Sequence, residues 1–328
     1  MQNKKTIIYA TIIGAFVAAA LLTIFVPTDE ETTESQTSQA DEKTEKDSVT
    51  ITPVMETDPY EELNSLIGLK DVKEEVISLA NFVKVQQQRK EKGLASPSIS
   101  YHCVFSGNPG TGKTTVARIL ARIYKDLGVV SKGHLVETDR SGLIAEYTGQ
   151  TAVKTNAIID SALDGVLFID EAYAITDEQG GGYGSEAIAT LLKRMEDDRD
   201  RLVVIVAGYK DEMKQFVESN PGLMSRFTNY IDFPDYSSDE LVEIFYTRTK
   251  KYNYTLDDEA DAFLREQMAK AVAEKTRYFG NGRYVRNLFE KAITIQANRL
   301  AKVKDLSEAE LKTLTVSDLS EAIRTVKN

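Results

Sequence analysis

No tryptophan, a single cysteine and two histidines occur in the 328 residues of this chain. A lone Cys103 excludes an intrachain disulfide, and its place in an apolar run makes it a small core residue. With only His102 and His134, there is no histidine and cysteine cluster to hold a transition metal. Basic excess is missing too, since the net charge is −11. Between Pro27 and Glu62 twelve acids face two lysines, a net of −10, so the rest of the chain sums to −1. Nucleic-acid binders carry a positive surplus, so no nucleic-acid partner is expected.

What is present is ordered in blocks. A short basic N-terminus, residues 1–5, precedes Thr6 to Val26, 21 residues without a charge and rich in Ile, Ala, Leu, Val and Phe. As a helix this run extends about 31 Å and reads as one transmembrane helix. A secretory signal peptide is the rival reading. However, the candidate cleavage site at Ala18 to Ala20 is followed by more apolar residues and not by a polar mature start. Residues 27–58, loaded with Thr, Ser, Glu, Asp and Gln, cannot bury enough to fold and predict a disordered acidic linker. As a coil it would reach roughly 30 Å.

From Leu69, apolar residues at Val72, Val76, Leu79, Ala80 and Val83 predict a helix that ends near Gly93. Strand-like runs follow at Tyr101 to Ser106, Leu135 to Thr138, Val166 to Asp170, Leu202 to Ala207 and Tyr230 to Phe233, with helical segments between them. That alternation predicts a parallel, doubly wound α/β sheet over 59–236. After Pro234 the pattern is helical only. It opens at a capping box, Ser237-x-x-Glu240, with a second at Ser307-x-x-Glu310, so 237–328 reads as a helical lid.

Between the first strand run and the next helix stands Gly107 to Thr114, G-N-P-G-T-G-K-T, a P-loop in the context that gives the motif meaning. Glycines let the backbone wrap a β-phosphate with N–H groups, a lysine neutralises β/γ charge, and a hydroxyl ligates Mg²⁺. Those roles fall to Gly107, Gly110, Gly112, Lys113 and Thr114, and the binding segment takes in Asn108, Pro109, Thr111 and Thr115. Val166-Leu-Phe-Ile-Asp170-Glu171 has the form of a buried strand whose end meets a ligand crevice. Asp170 is suited to Mg²⁺, and Glu171 to orienting and deprotonating an attacking water. ATP and Mg²⁺ are the expected cofactors.

Lys4 and Lys5 lie before the span and the next bases are Lys43 and Lys46, which by the positive-inside rule favours the bulk of the chain outside. ATP is a cytosolic substrate, and two lysines are a weak topological signal. The expectation is therefore a cytoplasmic catalytic domain on a single-pass anchor.

The pair GNPGTGKT and VLFIDEA resembles the AAA+ ATPase superfamily, more narrowly the branch of red-type Rubisco activase and stage V sporulation protein K. Further strings that carry the likeness are Leu66 to Leu69, Val206 to Tyr209, Ser219 to Gly222 and Asp232 to Tyr236. The likeness runs from about Tyr60 to Leu300. It implies that Leu66, Ile67 and Gly68 line the adenine pocket, and that Tyr147, Thr148 and Gly149 form a first pore loop gripping polypeptide. The glycine-rich run Gly180 to Gly184 falls where a second pore loop, or a plain surface loop, would lie. Arg226 matches the arginine finger that reaches a neighbouring subunit's γ-phosphate, and Met224 stands where some relatives carry a second arginine. Arg283 matches the nucleotide-sensing lid arginine, with Arg286 as the alternate, and Tyr209 is left without a role. The implied protein is a homo-oligomeric ring, a hexamer, that hydrolyses ATP to remodel a protein client while tethered to a membrane through Thr6 to Val26. The alternatives are a nucleotide-gated scaffold and a DNA-acting protein of the same superfamily.

Overall fold

The computed structural model describes residues 49–52, 57–95, 97, 99–147, 149–176 and 183–326. The expected membrane span and most of the expected linker lie outside the described residues. Among those described, no helix is long and apolar enough to cross a membrane.

A three-residue strand, β1 (Thr50–Thr52), is followed by helix α1 (Pro59–Ser65) and the long helix α2 (Lys70–Glu91). Asp58 starts α1 by accepting from the Tyr60 N–H at 2.8 Å, with Pro59 inside the first turn, where no N–H is needed. The alternation then runs β2 (Cys103–Gly107), α3 (Lys113–Asp126), β3 (Leu135–Thr138), α4 (Arg140–Leu143), α5 (Thr151–Ala162) and β4 (Gly165–Ile169). After a 3₁₀ turn at Ala172–Thr176 come α6 (Tyr183–Asp197), β5 (Leu202–Gly208), α7 (Lys210–Glu218), α8 (Pro221–Arg226) and β6 (Asn229–Phe233). The C-terminal part holds α9 (Ser238–Lys251), β7 (Thr255–Leu256), α10 (Asp258–Ala273), α11 (Asn281–Leu300), α12 (Glu308–Lys312), β8 (Thr313–Leu314) and α13 (Val316–Thr325).

The main sheet has the order β1-β3-β4-β5-β2-β6, with every pairing parallel except β1 on β3. Every residue of β4 and β5 is buried, because helices cover both faces. Alternate strand residues divide between two cores. Cys103, Phe105, Val166, Phe168 and Ile205 face α2, α3 and the lid helices, while Val104, Leu167, Ile169, Val204 and Val206 face α5 to α8. Both expected capping boxes form, at Ser237 with Glu240 and at Ser307 with Glu310.

Three expectations are corrected. Thr50 to Thr52, placed in the disordered linker by their acidic and polar surroundings, pair antiparallel with Leu135 to Glu137. The β-branched Thr-Ile-Thr triplet suits an edge, and Thr52 Oγ1 donates to Glu137 Oε1 at 3.1 Å. The lid is not helices alone, because β7 and β8 pair in parallel through Thr255 with Thr313 and Leu256 with Leu314. Strand β2, expected from Tyr101, begins at Cys103.

One buried charge fixes the entry to the sheet. Arg122 of α3 is 5% exposed, donates to Thr57 O at 3.0 Å and Thr57 Oγ1 at 2.9 Å, and pairs with Glu62 of α1. Because α1 ends at Ser65, this ion pair also fixes where Leu66 and Ile67, expected to line a nucleotide pocket, leave the helix. Arg122→Ala is expected to lower stability by about 2–3 kcal/mol, the scale for stripping a charged partner from a largely buried pair. Urea unfolding checks the stability, and a nucleotide titration checks for weaker binding in the folded variant.

Candidate active site

Strand β2 delivers its C-terminal end to the loop Gly107 to Gly112, and α3 begins at Lys113. The loop needs glycine where it presses on other backbone. Gly107 sits at φ +147, and a Cβ there would stand 2.3 Å from Phe233 O. Gly110 sits at φ +72, and a Cβ would stand 2.4 Å from Gly280 O and 2.5 Å from Arg283 N. The first turn of α3 contains no acid, so its unpaired N–H groups and the positive end of its dipole face the loop's hollow unopposed. Lys113 Nζ donates to Gly107 O at 2.7 Å and Asn108 O at 2.8 Å, and Thr111 Oγ1 donates to the same Asn108 O at 2.8 Å.

Beside the loop, with β5 between, β4 ends at Asp170 and Glu171. The Asp170 N–H donates to Thr138 O at 2.8 Å, and Asp170 Oδ1 accepts from the Glu171 N–H at 3.1 Å. Glu171 takes a left-handed backbone, φ 49, a costly conformation for a residue with a Cβ, and its side chain is exposed. Among the described residues neither carboxylate has an ion pair, which leaves both free for chemistry. For Mg²⁺, the Thr114 hydroxyl and the Asp170 carboxylate are hard oxygen donors of the right kind. Among the described residues no cluster of three or more acidic, His or Cys ligands exists. Mg²⁺ does not need one, since it binds through one or two carboxylates, phosphate oxygens and water.

These residues line one cleft of about 640 Å³ together with Pro109, Gly110, Gly112, Thr115, Gly208 and Tyr209. Leu66 and Ile67 form a wall of it, but Gly68 does not line it. Gly68 instead turns the chain at φ +59 against Glu240, where a Cβ would meet Oε1 at 2.1 Å. Leu69, left unassigned by sequence, takes the wall position that Gly68 was expected to hold. Asn108 and Thr111 lie in the loop without lining the cleft, and Thr111 is fully buried. Their side chains shape the loop. Both lid arginines, Arg283 and Arg286, reach the cleft, as do Ile244, Thr247, Arg248 and Lys251 of α9, which sequence reasoning missed. Tyr209 stands beside Glu171; burial, then that carboxylate, raises the Tyr209 phenol above its ordinary value.

The remaining expected site residues stand elsewhere. Arg226, at the end of α8, lines a second cavity of about 410 Å³ with Tyr101, His102, Glu196 and Arg199. It pairs with Glu196 at 3.3 Å, and among the described residues its buried Nε has no hydrogen-bond partner. His102 offers no acid–base function there. Burial, then Arg226, pushes it down to about 4, and its Nδ1 accepts from the Val204 N–H at 2.9 Å. Tyr147 is 67% exposed in the turn between α4 and α5, and among the described residues nothing lies within 4 Å of a Cβ built on Gly149. Thr148 lies outside the described residues, as does most of the glycine-rich run, whose last two residues, Tyr183 and Gly184, open α6.

Comparison with known proteins agrees with this geometry. Residues 103–235 match the family model described as "ATPase family associated with various cellular activities (AAA)", and 237–328 match the AAA lid domain. Stage V sporulation protein K of Bacillus subtilis is 42% identical over 261 residues, 79% of this chain and 81% of that protein. The plasmid protein CbxX of Cupriavidus necator is 46% identical over 77% of this chain and 80% of its own length. ESX-3 secretion system protein EccA3 of Mycobacterium tuberculosis H37Rv is 43% identical over 80% of this chain, which spans only 44% of that relative. Among solved structures, the FIGL-1 AAA domain superposes with a TM-score of 0.57 at 19% identity, over 81% of this chain and 83% of its own.

Lys113 ties the cleft to pH. Burial pushes its ammonium down to about 8, with Asp170 and Glu171 opposing and Arg283 reinforcing the shift. From about 8 to 10.5 the unfolded chain holds a proton that the folded lysine has lost, so this group adds stability as pH rises through that window. A triphosphate favours the charged amine. Nucleotide affinity is therefore expected to weaken above pH 8, and binding at pH 9 to take up a proton. Calorimetry in two buffers of different ionisation enthalpy reads both effects; affinity unchanged from pH 7 to 9 would contradict them.

Proposed function

Since the chain belongs to the AAA family of ATPases and hydrolyses ATP with Mg²⁺, we propose that it does so as a hexameric ring that remodels a protein client through its central pore. One observation carries the reading: Arg226 is absent from its own nucleotide cleft and stands at a separate cavity. From there the Arg226 guanidinium can neutralise γ-phosphoryl oxygens only in the cleft of an adjoining subunit, while Arg283 serves its own cleft. Within each subunit, Lys113 and Arg283 bind the phosphates, Thr114 and Asp170 would hold Mg²⁺, and Glu171 takes a proton from water. The ion would supply further neutralisation of phosphate charge at that place. Tyr147, 67% exposed and two residues before Gly149, supports a role in gripping an extended chain at the pore. Thr6 to Val26 anchors the ring to a membrane, with the ATPase domain in the cytoplasm. The relatives named for secretion and sporulation are compatible with a membrane-linked client.

Mixing inactive subunits tests the shared site. Arg226→Ala and Glu171→Gln each abolish turnover alone, the former by about 10³-fold or more. Mixed equally, they are expected to regain roughly a quarter of wild-type turnover, because neighbours of different type rebuild a whole site. No recovery would sink the trans-acting reading.

The pore role has its own measurement. Tyr147→Ala is expected to keep ATPase activity within about twofold and to lose client remodelling, since the side chain touches neither cleft nor core. Remodelling that survives intact would favour a nucleotide-gated scaffold. Protease accessibility of the ATPase domain in intact and opened cells checks the topology, with protection in intact cells expected.

A further inference from the structure

A largely buried carboxylate stands at the junction between sheet and lid. Asp235 follows β6 and Pro234, and lies where the AAA family match ends, two residues before the lid match begins. Its side chain is 14% exposed. Asp235 Oδ1 accepts from Asn108 Nδ2 of the P-loop at 2.8 Å and from Asn281 Nδ2 of the lid at 2.7 Å, while Oδ2 accepts from Lys275 Nζ at 2.7 Å. Burial works against the charged carboxylate, but the bonds from Lys275, Asn281 and Asn108 together hold it below its ordinary value.

Each partner leads to something that handles phosphate. On the core side, the Asn108 carbonyl takes the bond from Lys113 Nζ, the amine that a γ-phosphate attracts. On the lid side, Asn281 is fully buried at φ 46 and opens α11, whose first turns carry Arg283 and Arg286. The neighbouring residue repeats the bridge, for Tyr236 Oη donates to Thr111 O at 3.2 Å and the Tyr236 N–H donates to Asn281 Oδ1 at 2.9 Å. A hydrogen-bonded path therefore runs from Lys113 through Asn108, Asp235 and Asn281 to the helix that carries Arg283.

We propose that Asp235 is a positioning residue that couples the seating of the γ-phosphate on Lys113 to the angle of the lid, through Asn108 on one side and Asn281 on the other. A phosphate that draws Lys113 away from the Asn108 carbonyl alters the loop that Asp235 clasps. The lid turns about Asn281 in response, and Arg283 moves with it. The same coupling runs backward, so a lid held at one angle favours one nucleotide. The inference needs only the contacts within one subunit and ATPase chemistry, and it holds whether or not a ring threads a client.

Because the only native cysteine is buried, fluorophores can be placed selectively through Glu218→Cys on the sheet domain and Lys302→Cys on the lid. In the otherwise wild-type chain, a non-hydrolysable ATP analogue and ADP are expected to give different transfer efficiencies. In Asp235→Ala the two nucleotides should still bind, with affinities within about threefold, yet give the same efficiency, and kcat should fall about tenfold with KM nearly unchanged. Asn108→Ala cuts one arm and should reproduce the lost nucleotide difference, and the double variant should be no worse than Asp235→Ala alone. If Asp235→Ala fails to fold, Asn108→Ala and Asp235→Asn carry the test. Asp235→Asn keeps an acceptor for Asn108 and should retain part of the difference. A full ATP-to-ADP difference in folded Asp235→Ala or Asn108→Ala, or strictly additive effects in the double variant, would overturn the proposal. The fluorescence readout is made on isolated subunits, so failure of the ring reading leaves it standing.

Discussion

The contact on which the rest of the structure depends is backbone against backbone at Gly110. The Gly282 N–H donates to Gly110 O at 3.1 Å, so the lid rests directly on the loop that cradles phosphate. A Cβ on Gly110 would stand 2.4 Å from Gly280 O, and one on Gly282 would stand 2.8 Å from Gly110 O, so this approach needs glycine on both sides. The closeness decides the shape of the cleft. Arg283, one residue beyond the contact, lines the cleft. Any change of the P-loop is felt at the lid without an intervening layer of side chains, and the Asp235 clasp lies alongside the same contact.

Electrostatics then determine what that cleft accepts. Lys113, Arg248, Lys251, Arg283 and Arg286 line it against Asp170 and Glu171, a surplus of positive charge in a partly enclosed space. Burial, with the neighbouring arginines adding to it, disfavours the charged form of two residues. Lys113 is pushed down by burial, and Arg248 is lowered by burial and then by Arg286. A polyanion relieves both, which is why the site favours a triphosphate over a neutral ligand of equal size. The two free carboxylates stand where a metal and a water must be handled, so the chemistry is divided by charge along the cleft.

Much of this was legible in the sequence because it is local. The P-loop is eight consecutive residues, β4 and β5 are continuous apolar runs, and the capping boxes at Ser237 and Ser307 need only three-residue spacing. What stayed hidden depends on distance or on weak pattern. Thr50 to Thr52 carry no periodicity that separates them from acidic linker, and they became a strand only because the edge of β3 was open to them. The two-residue strands β7 and β8 are too short to alternate. Gly68 was assigned to the adenine wall by likeness, yet its left-handed turn faces Glu240 and leaves the wall to Leu69. Asp235 was hardest to read, since its partners lie 127 and 46 residues away and nothing near it in the chain signals a buried acid.

The position of Arg226 bears on how such sites assemble. Its pairing with Glu196 is loose, at 3.3 Å with the glutamate side chain 56% exposed, and a pair this wet is worth about 1 kcal/mol or less. A phosphate oxygen offering bidentate, charge-assisted bonds competes easily with that carboxylate. In the proposed ring, one face of each subunit offers the cleft and another offers Arg226, a head-to-tail arrangement in which unlike surfaces meet. Such interfaces either close into a ring or run on as a filament. Closure gives every cleft an arginine and every arginine a cleft. An open chain strands one of each at its ends, so a closed assembly is the form in which all sites are complete.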